Sequence, residues 1–164
     1  LISTIWVGVN PPLTGTITTT QKSSSAIEPT VTTEAQVTFV YDYAQDLYLV
    51  SKGIVTATWD VPPQAGCRSH LKFTGTAAHE DGQITVIDRT GYFATAASTV
   101  EFAGTSSCGP RLEPMTLTAE INWWPAAERA FFRLKPDGRL EDAFNETDSA
   151  GRNVVARWTL RPGM

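Results

Sequence analysis

Two consecutive tryptophans, Trp123 and Trp124, and three closely spaced tyrosines, Tyr41, Tyr43 and Tyr48, are the residues best suited to chemistry at a surface. An indole or phenol ring set among Asn and Thr side chains can stack on a sugar ring or anchor a protein contact. Adjacent strand residues point to opposite faces. If Trp123 completes the apolar row Met115, Leu117, Ala119 and Ile121, then Trp124 stands beside Asn122 on the polar side. Trp124, Trp123, Tyr43 and Tyr48 are therefore the candidate ligand-binding residues. The competing reading is packing: Pro125 turns the chain so that Trp124 covers one end of a barrel, and Tyr43 or Tyr48 plugs the other.

Catalytic signatures are not found. Ser69 and His70 are neighbours on one strand and so face apart, which prevents the imidazole from activating the hydroxyl. His79, Glu80 and Asp81 read as turn residues. The chain contains no Gly-x-Ser-x-Gly elbow, no Gly-rich phosphate loop and no His-Glu-x-x-His. Glu141, Asp142, Asn145, Glu146 and Asp148 offer oxygen ligands for Ca²⁺, but not at EF-hand spacing, so a hydrated acidic loop is the expectation. No catalytic residue, metal site or cofactor is assigned. A hydrolase built on paired carboxylates ranks third among the functional readings, since that geometry is set by the fold and not by spacing.

The elements that position these residues are strands. Strict alternation runs through Met115–Trp123 and recurs at Val37, Phe39 and Tyr41, at Val55, Ala57 and Trp59, at Leu71, Phe73 and Gly75, and at Val154, Ala156, Trp158 and Leu160. One face of each is apolar and the other wet, the mark of antiparallel pairing. Trp6, Trp59 and Trp158 then fall in the core, or line a cavity for an apolar ligand if a barrel is too wide to fill. Glu80-Asp81-Gly82 predicts a tight hairpin joining 69–78 to 83–89, Pro136-Asp137-Gly138 a turn joining 129–135 to 139–144, and Lys52-Gly53 a turn joining 46–51 to 54–60. No window carries a helical period; Pro125–Arg129 is one turn at most.

With 164 residues the chain suffices for one domain, and 23 Thr against 4 Lys favour β-structure. A net charge of −4 without clustered Lys and Arg argues against nucleic acid; Arg152, Arg157 and Arg161 read as a solvated face. No run approaches the ~20 apolar residues of a membrane helix.

Cys67 and Cys108 allow one intrachain bridge, worth ~4 kcal/mol by the chain-entropy model. A simple meander with strands at 69–78, 83–89 and 92–103 would put the two cysteines at opposite ends. A disulfide thus calls for a break near Ala96-Ala97-Ser98 or a crossover. Asn145-Glu146-Thr147 is a glycosylation sequon if the chain passes through a eukaryotic secretory route.

The expectation is an all-β protein, an antiparallel β-barrel or β-sandwich of ten or more short strands, forming a single domain over 1–164. Residues 1–12 are a peripheral or exchanged strand, and 22–30 a mobile Ser/Thr-rich loop. The chain reads as a mature or trimmed, extracellular or cell-envelope protein. Its expected function is non-enzymatic binding of a small apolar ligand, a carbohydrate or a protein partner. The alternative is assembly through the N-terminal strand.

Overall fold

The computed structural model describes residues 10–25, 27–64, 67–78, 81–95, 98–123 and 131–163. Every element is a strand, eleven in all among those residues: β1 (Leu13–Ser23), β2 (Thr30–Asp42), β3 (Leu47–Gln64), β4 (Cys67–Ala77), β5 (Gly82–Ile87), β6 (Thr90–Thr95), β7 (Ser98–Cys108), β8 (Arg111–Ile121), β9 (Phe131–Arg133), β10 (Leu140–Thr147) and β11 (Arg152–Pro162). All ladders are antiparallel and run in the order β10-β11-β1-β2-β3-β4-β7-β8, with β5 joining β3 to β6 and β6 leading to β9. The sheet is not closed. Its path ends on β8 and β10, and the segment after β9 meets β10 through a single bridge, Leu134↔Leu140.

Alternation decides which side is buried. Ile17, Ala35, Val37, Phe39, Val55, Ala57, Leu71, Phe102, Ala156, Trp158 and Leu160 share the inner face and form one core. The outer face carries Thr14, Thr16, Thr18, Thr20, Glu34, Gln36, Thr38 and Thr56, with Thr14 and Thr38 hydrogen-bonded across strands at 3.0 Å. The abundance of threonine thus follows from a β-branched residue being at home on a pleated, solvated surface.

Two of the three predicted turns are not what their sequences suggested. Asp81 does close a turn, its amide donating to the Ala78 carbonyl at 3.0 Å, but β4 and β5 do not pair. Both lie along the same edge of β3, β4 opposite Gly53–Gln64 and β5 opposite Tyr48 and Leu49. Strands β6 and β7 run back beside them, so the four segments form one long hairpin. Its tip is Asp88-Arg89, both at positive φ (47° and 63°) in the two-residue loop that the twist of a hairpin favours. Along it β4 pairs with β7 from Cys67↔Cys108 to Lys72↔Ala103, and β5 with β6 from Gly82↔Thr95 to Ile87↔Thr90.

Lys52-Gly53 is the second correction, because β3 runs straight through it. Phe39 pairs with Val50 and Thr38 with Lys52, leaving Ser51 as the extra residue of a bulge. Glycine stands next to it because a Cβ at Gly53 would meet Val37 Cγ1 at 2.6 Å. The chain reverses instead between Asp42 and Leu47, where the Asp42 carboxylate accepts the Ala44 amide at 2.8 Å and Asp46 adopts φ 58°. Pro136-Asp137-Gly138 is a turn as expected, with Gly138 at φ 81° donating to the Lys135 carbonyl at 2.9 Å.

The disulfide is present. Cys67 and Cys108 are directly opposed on β4 and β7, with Cα atoms 4.1 Å apart, at the base of the long hairpin. The arms β4–β5 and β6–β7 of that hairpin bring the two cysteines to one end; Ala96 and Ala97, where a break was expected, lie outside the described residues. The loop after Ser23 is shorter than 22–30, since Lys22 and Thr30 still pair. Residues 1–9 and 124–130, including Trp6, Trp124 and the Pro125–Arg129 segment, lie outside the described residues, as do His79 and Glu80.

Candidate functional site

At the end of the sheet where β1 finishes and β2 begins, the inner face leaves a recess of about 290 Å³. Its side is formed by Thr19, Gln21, Val31 and Thr33, and Trp59 of β3 stands as the aromatic wall. Glu120, Ile121 and Asn122, at the end of β8, close it from across the curled sheet, and Glu28, Pro29 and Arg152 complete the rim.

Thr19 and Thr33 are the unusual residues. They occupy the parity of Ile17 and Ala35, the apolar face, and are the only buried polar side chains among the described residues, each 2% exposed. Their positions are cross-strand partners, and their hydroxyls bond to each other. A hydroxyl pair uses one O–H and leaves the other hydrogen free to donate. Desolvating such a group costs about 1–3 kcal/mol unless it is satisfied, so a polar partner in the recess is favoured over an apolar one.

The rim is held by local chemistry. Asp148 accepts the Arg152 backbone amide at 2.9 Å and the Arg152 Nε at 2.8 Å. The backbone hydrogen bond, with help from the guanidinium, holds the Asp148 carboxyl below its ordinary value. Arg152 is thereby fixed at the mouth, opposite the acidic side chains Glu28 and Glu120. Trp59 keeps its position by packing edge-on against Phe102, ring centres 5.7 Å apart.

Sequence reasoning named different residues. Trp123 is 2% exposed and packs edge-on against Phe93 at 5.9 Å, so its indole is in the core and not presented to solvent. Tyr48 is likewise buried, and burial raises its phenol pKa. Tyr43 is 66% exposed at the β2–β3 turn. Tyr41 stands between them, ring centres 4.9 Å from Tyr43 and 5.0 Å from Tyr48. Its hydroxyl donates to Asp46, and that bond, with partial burial, pushes its pKa up to about 12. Of this aromatic group Tyr43 alone is largely exposed, and none of the three lines the recess. Trp124 lies outside the described residues.

Thr19, Thr33 and Gln21 went unnoticed, although a signal existed: Thr19 shares the parity of Leu13 and Ile17 in β1, and Thr33 that of Val31, Ala35, Val37 and Phe39 in β2. Trp59 had been read as core or cavity wall, and it is both.

Other chemistry-bearing groups are placed apart from the recess. His70 and Asp60 contact each other on the outer face, while Ser69 points inward to Ser106 at 3.1 Å, so the two neighbours do face opposite ways. Glu141, Asp142 and Glu146 lie along β10 on alternating faces and not in a loop; Glu141 pairs with Arg139 at 3.4 Å. Asn145 accepts from Asn153 at 2.6 Å. No cluster of metal-ligating side chains forms among the described residues.

Fold and site together define an all-β antiparallel protein with one disulfide and a polar-floored recess at one end of its inner face. Compared with known proteins, the chain matches no family model, and no curated protein and no solved structure is significantly similar to it.

Proposed function

We propose that the protein is a non-enzymatic binding module that takes a small, neutral, polyhydroxylated ligand, a carbohydrate unit, in the recess beside Trp59. The buried Thr19–Thr33 pair carries this reading, since polar groups on a core face are stabilised by a partner that hydrogen-bonds. Gln21, Asn122, Glu28, Glu120 and Arg152 supply donors and acceptors for hydroxyls, and the indole supplies a surface for the apolar face of a sugar ring. A purely apolar ligand would leave that rim unsatisfied. The disulfide is compatible with an extracellular or cell-envelope location. No helix among the described residues is long and apolar enough to cross a membrane.

Titration with a panel of neutral hexoses and their disaccharides, read by amide shifts, tests the reading. Affinities near ~1 mM, about 4 kcal/mol, are expected for a single sugar, and Gln21→Ala or Trp59→Phe should weaken them. Absence of binding across the panel would remove the proposal.

A second reading rests on Glu28 and Glu120 lining the same recess, as a carboxylate-based glycoside hydrolase requires. Steady turnover of aryl glycosides by the native chain, abolished in Glu28→Gln/Glu120→Gln while the domain stays folded, would favour it.

A further inference from the structure

We infer that the β2–β3 turn is a second binding site, for an organic cation of the quaternary-ammonium type seated against the rings of Tyr43 and Tyr41. The three tyrosines at this turn form a fixed stack. Tyr48 is buried, and half-buried Tyr41 meets it at 75° with ring centres 5.0 Å apart. Tyr43 meets Tyr41 in turn at 74° and 4.9 Å, so the exposed ring is oriented by the buried one through the middle one. In such an edge-to-face pair at most one face of Tyr43 is taken by Tyr41, and the ring leaves 66% of the residue's surface to solvent. The negative face of an aromatic ring attracts a cation that comes within about 6 Å of its centre.

Charge around the rings has the matching sign. Residues 41–48 contain Asp42 and Asp46 and no cationic residue, and there is no Lys, Arg or His anywhere from 23 to 51. On the neighbouring strand, Gln83 and Ile84 pair with Leu49 and Tyr48 and are neutral. The Tyr41 hydroxyl donates to Asp46, which leaves its ring richer in electrons and a better partner for positive charge. Asp42 accepts the amides of Ala44 at 2.8 Å and Gln45 at 3.3 Å, and the Gln45 side-chain amide at 2.8 Å. Its carboxylate thus fixes the turn while adding a second negative charge beside the exposed ring.

This chemistry selects the ligand class. An anion would be repelled, and a neutral sugar gains nothing from the two charges. The carboxylates already accept from Tyr41, Ala44 and Gln45, so they act on a ligand by their field and not as a chelating pair for a metal ion. A methylated ammonium holds its water loosely and brings methyl groups to the ring face, which is the combination that an exposed tyrosine pair beside carboxylates rewards.

The test titrates the full chain with tetramethylammonium, choline and the neutral carbon analogue of choline, 3,3-dimethylbutanol, at constant ionic strength, following the amides of 41–48 and the tyrosine ring protons. Both cations should bind with dissociation constants of order ~10 mM and the neutral analogue at least about fivefold more weakly. Tyr43→Phe keeps the ring and should stay within about twofold, whereas Tyr43→Leu keeps an apolar side chain without a π face and should lose about fivefold. Asp46→Asn should weaken binding by a similar factor, since it removes one charge at a position whose φ of 58° asparagine tolerates. Retention on phosphatidylcholine vesicles, lost in Tyr43→Leu, would assign the ammonium to a lipid headgroup; choline binding without retention would assign it to a free solute; either supports the site. No shifts with either cation, equal binding of the neutral analogue, or indifference to Tyr43→Leu would each overturn the inference. Sugar binding in the recess is read at other residues and stands or falls independently.

Discussion

Thr19 and Thr33 hydrogen-bond to each other across β1 and β2 on the face that carries the core, each with 2% of its surface exposed. Removing one partner leaves the other's hydroxyl buried without its mate, whereas replacing both with valine keeps shape and removes the polarity together. Thr33→Val alone is expected to lower stability by about 1–3 kcal/mol and Thr19→Val/Thr33→Val by much less. Urea unfolding of the two singles and the double gives the coupling. The double variant should at the same time lose sugar affinity, a combination that a purely structural pair would not show.

Tyrosine ionisation reports the β2–β3 turn. The Asp46 hydrogen bond raises Tyr41 to about 12, and burial raises Tyr48. A raised folded pKa favours the protonated form. Its stabilising contribution is thus fully present below the unfolded value of ~10 and is lost as pH climbs through the folded one. Phenolate absorbance should rise for Tyr41 and Tyr48 above the ordinary tyrosine range, and Asp46→Asn should bring the Tyr41 step down. An unchanged titration in that variant would show that Asp46 does not hold Tyr41.

Acid should act on two turns. Hydrogen bonds from the Arg139 and Arg152 backbones lower Asp137 and Asp148 respectively. With folded pKa values depressed, their contribution is present above the unfolded value near ~3.9 and disappears as pH falls through the folded values. Asp148→Asn should flatten the loss of stability below that pH and loosen Arg152 at the recess rim. Thermal unfolding across an acid series checks it.

The base of the long hairpin makes two demands on sequence. Breaking Cys67–Cys108 opens a closed loop with a sequence separation of 41, and about 4 kcal/mol is the chain-entropy estimate of the loss. Nearby, a Cβ on Gly104 would stand 2.1 Å from the His70 carbonyl oxygen, which is backbone and cannot swing aside. Gly104→Ala should destabilise by more than the ~1 kcal/mol range of β-propensity. Calorimetry with and without reductant measures the first effect, and denaturant midpoints the second.

Much of the fold was legible because alternation names the buried face directly: Val154, Ala156, Trp158 and Leu160 are interior, as are Val37, Phe39, Val55 and Ala57. Pairing was less legible. Asp81-Gly82 has hairpin chemistry, yet the chain bends there and continues along β3, while the real hairpin tip is Asp88-Arg89, without glycine. Lys52-Gly53 resembled a turn because glycine's role there is to let β2 approach, which depends on a neighbour far away in sequence. The recess was hidden for the same reason: Thr19, Thr33, Trp59 and Asn122 come from four separate stretches that only the curl of the sheet brings together.

Amide shift mapping of the uniformly labelled protein during addition of a neutral hexose series tests the central claim most directly. Shifts confined to Thr19, Gln21, Thr33, Glu120 and Asn122, with the Trp59 indole, are the expected result. Shifts absent throughout, or confined to the Tyr43 turn, would contradict it.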